Sequence, residues 1–278
     1  MTLTVAIIAP GNMGAGVGRR LTENGVTVLT SLAGRSAASE KRAREAGMKP
    51  VDDRALMDAD FLMSIVPPGD ALALAKRLAT VLTAANKKPA YVECNAVSPK
   101  TMLQIADVIA ATGASFIGAG IIGPPLKPDS KNTRIYASGP HARELAVLND
   151  HGLIVRVLEG PLTAASALKM SYAGITKGFT ALGASMMLAA TREGAAAALR
   201  AELTESRPDL LGYLTRQTPD MYAKAYRWVA ELDEIAAFVG EDHPEHAMLN
   251  AAARLYERIA EDFDGGKKEI GALDDFLK

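Results

Sequence analysis

The N-terminal segment constrains the fold more than any other part of the chain. A β-branched run, Thr4 to Ile8, ends in Ala9-Pro10-Gly11-Asn12-Met13-Gly14, and a helical pattern follows from Ala15 to Asn24. A strand that turns on glycines into a helix presents free backbone N–H groups at the positive end of the helix dipole. A phosphate anion suits that position, so the segment predicts a nucleotide-binding α/β fold.

The glycine turn is a variant of the dinucleotide-binding fingerprint. The usual Gly-x-Gly-x-x-Gly spacing occurs here as Ala9-x-Gly11-x-x-Gly14. Gly11 would let a pyrophosphate approach the backbone, and Gly14 would let the helix pack tightly on its strand. We therefore expect a dinucleotide to bind at Pro10, Gly11, Asn12, Met13 and Gly14. The alternative is a purely structural turn.

The end of the second predicted strand, residues 26–32, indicates which dinucleotide binds. An acidic residue about 20 residues past the glycine turn would hold the ribose 2′-hydroxyl of NAD. That region carries no acid and instead carries Arg35 and Ser36. A guanidinium and a hydroxyl match a 2′-phosphate, so this pair predicts NADP(H). The alternative is a solvated arginine in a loop.

Strands and helices alternate as far as residue 158. This alternation predicts a Rossmann-type domain over residues 1–160, with a mainly parallel sheet covered on both faces. The later predicted strands are 60–66, 90–93, 115–119, 135–138 and 153–158, and the helices are 39–46, 70–82, 99–112 and 141–151. A polar turn, Asp129 to Arg134, precedes the strand at 135–138.

Polar or turn-forming residues follow several of these strands. In a parallel sheet the carboxyl ends share one edge, where ligands bind. Val66 and Pro67 end one strand and Asn95 follows the next, so we expect these three residues to contact the cofactor. Ser98 lies at the same edge or caps the helix that begins at Pro99. The segment after residue 119, Gly120 to Pro125, is predicted to be a loop that supplies backbone donors.

No strand pattern occurs after residue 158. A helix is predicted from Pro161 to about Arg192, followed by helices at 208–217, 219–239 and 245–263 and a solvated tail from Gly265. The sequence therefore predicts an all-α C-terminal domain, residues 161–278, for substrate binding and dimerisation.

Composition narrows the functional classes. The net charge of -1 offers no electrostatic footprint for nucleic acid or an anionic membrane. The one cysteine, Cys94, excludes an internal disulfide framework and suits a reducing compartment. There is no signal-peptide pattern at the N-terminus and no apolar run that could span a bilayer, so we expect a cytoplasmic protein.

Lys169 is the second informative feature. It lies among small and apolar residues on the long predicted helix, and Tyr172, Ala173 and Thr176 follow on its face. A buried ammonium needs a partner or a function, and burial lowers the pKa of a lysine toward neutrality, as proton transfer requires. The alternative is a lysine that extends to solvent.

Several segments together resemble the β-hydroxyacid dehydrogenase superfamily, which includes 6-phosphogluconate and 3-hydroxyisobutyrate dehydrogenases and imine reductases. The resemblance covers nearly the whole chain. Within the superfamily the chain is most similar to a branch with a phosphogluconate dehydrogenase-like C-terminal domain. The segments that carry it are 8–14, 66–68, 94–99, 120–125, the helix around Lys169, and Arg227 to Leu232.

The resemblance implies an NADP(H)-dependent oxidoreductase that transfers hydride between nicotinamide and a small hydroxyacid or related carbonyl substrate. It also implies that Lys169 exchanges a proton with the substrate oxygen. Two positions depart from the family pattern: Ala173 replaces an asparagine, and Ile122, before Gly123, replaces a serine that grips the substrate carboxylate. We expect Ile122, Gly123 and Ala173 to line the substrate site, with Tyr172 and Thr176 replacing the lost polar contacts.

Two other functions remain open at this stage. An imine reductase shares the architecture but generally lacks the lysine, and a non-catalytic NADP(H)-binding protein would need no substrate contacts. His243 and His246 could belong to a metal site, but Pro244 and Glu245 fit a helix start, and we expect no metal. The apolar faces of the C-terminal helices predict a homodimer.

Overall fold

The computed structural model describes residues 3–128 and 130–278. The chain divides into two compact units, Met1–Lys169 and Met170–Lys278, and the division falls inside the long helix. Asp129, at the start of the predicted polar turn, lies outside the described residues, as do Met1 and Thr2.

The described part of the first unit contains one sheet of eight strands. In chain order they are β1 (Thr4–Ile8), β2 (Thr27–Thr30), β3 (Lys49–Pro50), β4 (Phe61–Ser64), β5 (Ala90–Glu93), β6 (Phe116–Ile122), β7 (Arg134–Ser138) and β8 (Val155–Val157). Their spatial order is β3-β2-β1-β4-β5-β6-β7-β8, and β6–β7 is the antiparallel pair among otherwise parallel neighbours. The order 3-2-1-4-5-6 is that of dinucleotide-binding sheets, with a switch point between β1 and β4. The predicted Rossmann-type sheet is confirmed.

Helices cover both faces of this sheet. They are α1 (Asn12–Glu23), α2 (Ala37–Glu45), α3 (Ala71–Ala84) and α4 (Pro99–Ala110), with 3-10 segments at Ala55–Asp58, Pro68–Asp70 and Ala142–His151. Successive residues of β1 enter opposite cores: Val5 and Ile7 join one hydrophobic cluster, and Ala6 and Ile8 join the other. A strand buried on both faces explains the continuous apolar run in the sequence.

The first unit differs from the prediction at two strands. Gly120 to Ile122 was predicted as a loop, but it continues β6 and pairs with β7, Gly120 opposite Tyr136 and Ile122 opposite Arg134. The side chain of Ile121 is buried, and strand pairing is what satisfies its backbone there. The short strand β3 was missed because it includes Pro50, which an edge strand tolerates.

In the described residues of the second unit, all regular secondary structure is helical. The helices are α5 (Ala164–Arg192), which crosses the division between the units, α6 (Ala196–Ser206), α7 (Pro208–Tyr222), α8 (Ala225–Val239), α9 (Glu245–Asp264) and α10 (Lys268–Leu277). The predicted helical C-terminal region is therefore confirmed.

The helix boundaries in this unit differ from the predictions at three places. Helix α6 was not predicted, because none of its residues is buried and it carries no apolar face. Pro219 was predicted to begin a helix but lies inside α7, where burial of Met221 holds the last turn in place. The predicted solvated tail is α10, whose Ile270 and Phe276 are buried.

An ion pair between buried Lys177 and half-buried Glu231 joins two helices of the second unit. The Lys177 ammonium donates to the Glu231 carboxylate and lies 5.3 Å from the centroid of the Trp228 ring. The Tyr256 hydroxyl donates to the Lys177 carbonyl at 2.6 Å. Lys177 is thus a structural cation, because its charge is matched within its own unit.

Candidate functional site

The glycine turn after β1 has the geometry of an anion site. Gly11 is the N-cap of α1, its φ of -69° is open to any residue, and no side chain caps the helix. A Cβ added at Gly11 would meet nothing within 4 Å, whereas one at Gly14 would lie 2.0 Å from the Ala9 carbonyl oxygen. Gly14 therefore permits helix–strand packing, and Gly11 leaves the space above the turn open. The first-turn N–H groups of Asn12 and Met13 have no partner within the helix by construction.

The segment after β2 and the helix that follows it carry Arg35 and Arg42, and Arg42 contacts this turn. Ser36 is the N-cap of α2 and accepts from the Ser39 N–H at 3.4 Å, while Arg35 beside it is half-buried. Arg42 donates from Nε to the Pro10 carbonyl at 3.0 Å and from a terminal nitrogen to the Ser39 hydroxyl at 3.0 Å. Sequence reasoning named Arg35 and Ser36 but missed Arg42 and Ser39. The available signal was their i, i+3 spacing on a helix that begins at Ser36.

The ends of β4 and β5 are tied together by one asparagine. Asn95 accepts from the Val66 N–H at 2.7 Å and donates from Nδ2 to the Ser64 hydroxyl at 2.8 Å. Val66 is half-buried and Pro67 is exposed, whereas Asn95 is only 4% exposed. Asn95 therefore holds the segment after β4 in place, and one hydrogen of its amide remains beyond the bond to Ser64. Ser98 caps α4, accepting from the Thr101 N–H at 3.3 Å.

The first turns of α5 lie directly on β6. A Cβ on Gly118 would lie 2.3 Å from the Leu162 carbonyl oxygen, and one on Gly120 would lie 3.1 Å from Cβ of Lys169. Both glycines are on one face of the strand, because alternate residues share a face. The Ser166 hydroxyl fixes the same turns, donating to the Val97 carbonyl at 2.5 Å. Gly120 was expected to supply a backbone donor, and its observed role is to admit the helix that carries Lys169.

Lys169 is thereby placed at the ligand edge of the sheet. The side chain is half-buried, and its Cβ lies over Gly120 near the carboxyl end of β6. Because β1, β4, β5 and β6 are parallel, the glycine turn, Val66, Asn95 and this part of β6 occur at the same edge. The first unit therefore contains both the predicted cofactor residues and Lys169, at the same edge of its sheet.

The predicted substrate residues lie in different surroundings. Ile122 is half-buried at the end of β6, and Gly123 after it has a φ of +129° with no room for a Cβ beside Asn132 and Thr133. In the second unit, Ala173 is buried and Tyr172 is half exposed. The Thr176 hydroxyl donates to the Tyr172 carbonyl at 2.9 Å, so it is engaged with its own helix.

The part of the chain that the structure describes contains no group of three or more His, Cys, Asp or Glu side chains arranged to hold a metal ion. His246 instead contacts the Ala236 carbonyl from Nδ1, at 2.9 Å. Within the same residues, no helix has the length and hydropathy needed to cross a membrane.

Two family models match the chain. Residues 4–145 match the NAD binding domain of 6-phosphogluconate dehydrogenase. Residues 190–259 match a domain of unknown function, DUF1932. The first match contains the glycine turn, both arginines after β2, and the segments around Val66 and Asn95. The second lies within the helical unit.

Solved structures share this architecture over nearly the full length. A conserved protein of unknown function, described as structurally similar to 3-hydroxyacid dehydrogenases, is 28% identical with a TM-score of 0.73, covering 98% of this chain and 99% of that one. The 3-hydroxyisobutyrate dehydrogenase of Mycobacterium tuberculosis, solved with L-serine, is 18% identical with a TM-score of 0.74, covering 94% and 95%. An imine reductase from Myxococcus stipitatus, solved with NADP+, is 18% identical with a TM-score of 0.55, covering 99% and 100%.

Proposed function

Because the chain belongs to the β-hydroxyacid dehydrogenase superfamily, whose cofactor-domain model matches residues 4–145, we propose that it is an NADP(H)-dependent oxidoreductase. It transfers hydride between nicotinamide and a small hydroxyacid or related carbonyl compound. The observation that carries this proposal is the position of Lys169, with its Cβ over Gly120 at the sheet edge that holds the glycine turn. Residues 1–160 are the cofactor domain, and residues 161–278 are the substrate and dimerisation domain.

The cofactor would be held by backbone donors and a rigid loop. The first-turn N–H groups of Asn12 and Met13 suit the pyrophosphate, and the open space above Gly11 admits it. Val66 and Pro67 would support the remainder of the dinucleotide, with Asn95 fixing them from below. When bound, the nicotinamide supplies or accepts the hydride.

The preference for NADP(H) rests on the residues after β2. Ser36, Ser39 and Arg42 are linked by hydrogen bonds beside the Pro10 carbonyl, and Arg35 directly precedes them in the chain. The segment between β2 and α2, residues 31–36, carries no acid that would bind a free ribose 2′-hydroxyl. Guanidinium–phosphate hydrogen bonds are charge-assisted and worth about 1.5–3 kcal/mol each. Arg42 has an additional structural bond, so Arg35 is the cleaner probe.

The coenzyme preference is tested by binding titrations of NADPH and NADH. Arg35→Ala should weaken the binding of NADPH about 10- to 100-fold and leave the binding of NADH nearly unchanged. This factor is the energy of one guanidinium–phosphate hydrogen bond expressed as a change in affinity. The exposed Arg44→Ala on α2 is the matched control and should change neither. Equal affinity of the wild-type protein for both coenzymes would refute the preference.

Lys169 would act as general acid or base at the substrate oxygen. In the oxidative direction the lysine amine takes the hydroxyl proton while the hydride leaves the same carbon, which becomes a carbonyl. The reverse direction returns the proton to the oxygen. A positioned proton donor of this kind contributes roughly 10²–10⁴-fold to rate.

The catalytic role is tested with a panel of hydroxyacids and the corresponding carbonyl compounds. Lys169→Met should lower kcat by about 10²–10⁴-fold while NADPH affinity changes little. Lys76→Met, an exposed lysine on α3, is the control. Undiminished turnover by Lys169→Met would remove the proposed role.

The two positions that depart from the family pattern, Ile122 and Ala173, indicate where the substrate binds. We assign Ile122, Gly123 and Ala173 to the substrate site, with Tyr172 and Thr176 as its polar or aromatic contacts. Replacement of polar family residues by Ile122 and Ala173 favours a substrate less polar than a simple β-hydroxyacid. Cyclic imines in the same panel distinguish the alternative, an imine reductase, and tight NADPH binding without hydride transfer to any compound distinguishes a non-catalytic binding protein.

We propose a homodimer formed through one face of α5. Tyr172, Ile175, Phe179, Leu182 and Met186 recur at helical spacing and are 44–72% exposed. Beside them runs a groove of about 490 Å³ lined by Gly174, Gly178 and Ala181 of α5 and by residues of α9, including the exposed Met248.

This ridge and groove on one surface are self-complementary, as a two-fold interface requires. With Met248, these side chains would bury roughly 700 Å² per copy, within the range of stable interfaces. Light scattering should give twice the chain mass for the wild-type protein and the chain mass for Leu182→Glu. A wild-type monomer would contradict the dimer.

The cellular location follows from the cofactor and the cysteine. Cys94 is buried and unpaired within the described chain, and NADP(H) chemistry is consistent with a reducing compartment. We therefore propose a cytoplasmic enzyme that acts on a small molecule.

A further inference from the structure

A buried carboxyl group lies directly beneath the predicted cofactor segment. Glu93 ends β5 and is paired in register with Ser64, which ends β4. Both residues are 0% exposed, and Asn95 is 4% exposed. We call these three residues the Glu93 cluster. It occupies the carboxyl ends of two strands next to the switch point of the sheet, where ligands bind in this architecture.

Hydrogen bonds link the Val66 N–H to the Glu93 carboxyl group through Asn95. The Val66 N–H donates to Asn95 Oδ1 at 2.7 Å, Asn95 Nδ2 donates to the Ser64 hydroxyl at 2.8 Å, and the Asn95 N–H donates to Glu93 Oε1 at 2.9 Å. Ser64, which is paired in register with Glu93, also lowers the pKa of the carboxyl group. Asn95 therefore links the two: its side chain accepts from Val66 and its backbone N–H donates to Glu93.

Burial of the Glu93 carboxyl group opposes its ionisation. Burial raises the pKa of Glu93 to about 7, against the opposing hydrogen bonds from Asn95 and Ser64. Its Oε2 is buried with no partner meeting hydrogen-bond geometry in the described residues. A neutral residue of the same shape would avoid the desolvation of a charge. A buried charge retained at a ligand-binding edge therefore calls for a function.

The groups that face Glu93 do not supply a compensating charge. Tyr91 and Cys94 lie beside it on β5 and the segment after it, and burial raises the pKa of each hydroxyl or thiol, which keeps both neutral. Arg77 of α3 acts on Tyr91 and lies 3.6 Å from Asp53, its own partner. The hydrogen bond from the Asn95 N–H therefore stabilises the carboxylate.

We propose that Glu93 is a positioning residue for the dinucleotide: through Asn95 and Ser64 it fixes the Val66–Pro67 segment in the conformation that binds the cofactor. This inference rests on the proposed function, because it takes Val66 and Pro67 to be cofactor contacts. It assigns Glu93 no contact with the cofactor and no part in proton transfer to the substrate.

The proposal predicts that the affinity for the cofactor depends on pH. Hydrogen bonds to a carboxylate are charge-assisted and stronger than those to a neutral carboxylic acid. Protonation of Glu93 therefore loosens the segment, and cofactor affinity should fall by about fivefold as pH decreases from 8.5 to 6. Glu93→Gln keeps the acceptor for the Asn95 N–H but has no charge, so its affinity should lack this contribution.

The experiment measures NADPH dissociation constants for the wild-type protein and Glu93→Gln between pH 6 and 8.5. The ratio of the two constants cancels titration of the coenzyme's own 2′-phosphate, whose pKa is near 6. The ratio should be about five at pH 8.5 and approach one at pH 6. The exposed Glu23→Gln on α1 is the control and should give a ratio near one throughout.

Hydrogen exchange supplies a readout that does not need the cofactor. The Val66 amide should exchange about fivefold faster in Glu93→Gln at pH 8.5, and Ser64→Ala should do the same if Glu93→Gln folds poorly. Unchanged exchange at Val66 together with a pH-independent ratio of one would overturn the positioning role. If the wild-type protein binds no NADPH at any pH, the proposed function fails, and with it the role of Glu93 toward a dinucleotide.

Discussion

The buried carboxyl of Glu93 predicts an unusual pH dependence of stability. Its ordinary pKa of 4.5 applies to the unfolded chain, and burial raises the pKa to about 7 in the folded protein. The folded state therefore holds the proton more tightly. The stabilisation from the protonated group is fully present below pH 4.5 and is lost as pH rises through 7.

The size of this effect follows from the two pKa values. A shift from 4.5 to about 7 at 1.36 kcal/mol per pKa unit amounts to about 3 kcal/mol. Glu93→Gln is neutral at every pH and escapes this loss. The free energy of unfolding of Glu93→Gln, minus that of the wild-type protein, should thus increase by about 3 kcal/mol between pH 4.5 and pH 8.

The assay is urea unfolding followed by circular dichroism across this pH range. Trp228, the single tryptophan, lies in the second unit, so its fluorescence would report on the wrong part of the chain. Glu23→Gln, at an exposed position, gives the baseline for removing a carboxyl group. Parallel pH profiles for the wild-type protein and Glu93→Gln would refute the reasoning, because they would mean that Glu93 titrates alike in both states.

Four further predictions test packing at and away from the site. Gly14→Ala should destabilise the fold by at least about 3 kcal/mol, because its Cβ meets a backbone oxygen at 2.0 Å. Gly11→Ala should unfold at the same urea concentration as the wild-type protein but bind NADPH at least about tenfold more weakly. Gly120→Ala should lower kcat by about tenfold with little change in NADPH affinity, since its Cβ would press on Lys169. Lys177→Met should cost about 3 kcal/mol in unfolding free energy by leaving Glu231 unpaired, and Lys177→Met combined with Glu231→Leu should recover most of it.

The sequence predicted those parts of the fold that depend on local patterns. The strand Ala90–Glu93 was predicted with its observed bounds, because polar residues flank a short apolar run. Gly11 and Gly14 marked the turn because their spacing reflects a steric requirement that the 2.0 Å approach at Gly14 makes plain. Any sequence that forms this turn must meet the same steric requirement, so the glycine spacing can be recognised from the sequence alone.

Features that depend on distant partners were not predictable. Gly118 was predicted as a strand residue and Gly120 as a loop residue. The sequence gives no sign that both are needed to admit α5, which packs on them. Helix α10 was mistaken for a tail because its buried residues, Ile270 and Phe276, have partners elsewhere in the second unit. The Glu93 cluster depends on the register that sets Ser64 opposite Glu93, and no sequence pattern encodes that register.

The central claim is that the ammonium of Lys169 faces the nicotinamide held above the glycine turn. A crystal structure of the protein with NADPH tests it directly. We predict the pyrophosphate on the N–H groups of Asn12 and Met13, and Lys169 Nζ within about 3–3.5 Å of the position of a substrate oxygen at nicotinamide C4. A nicotinamide ring bound away from β6, with Lys169 in bulk water, would contradict the mechanism.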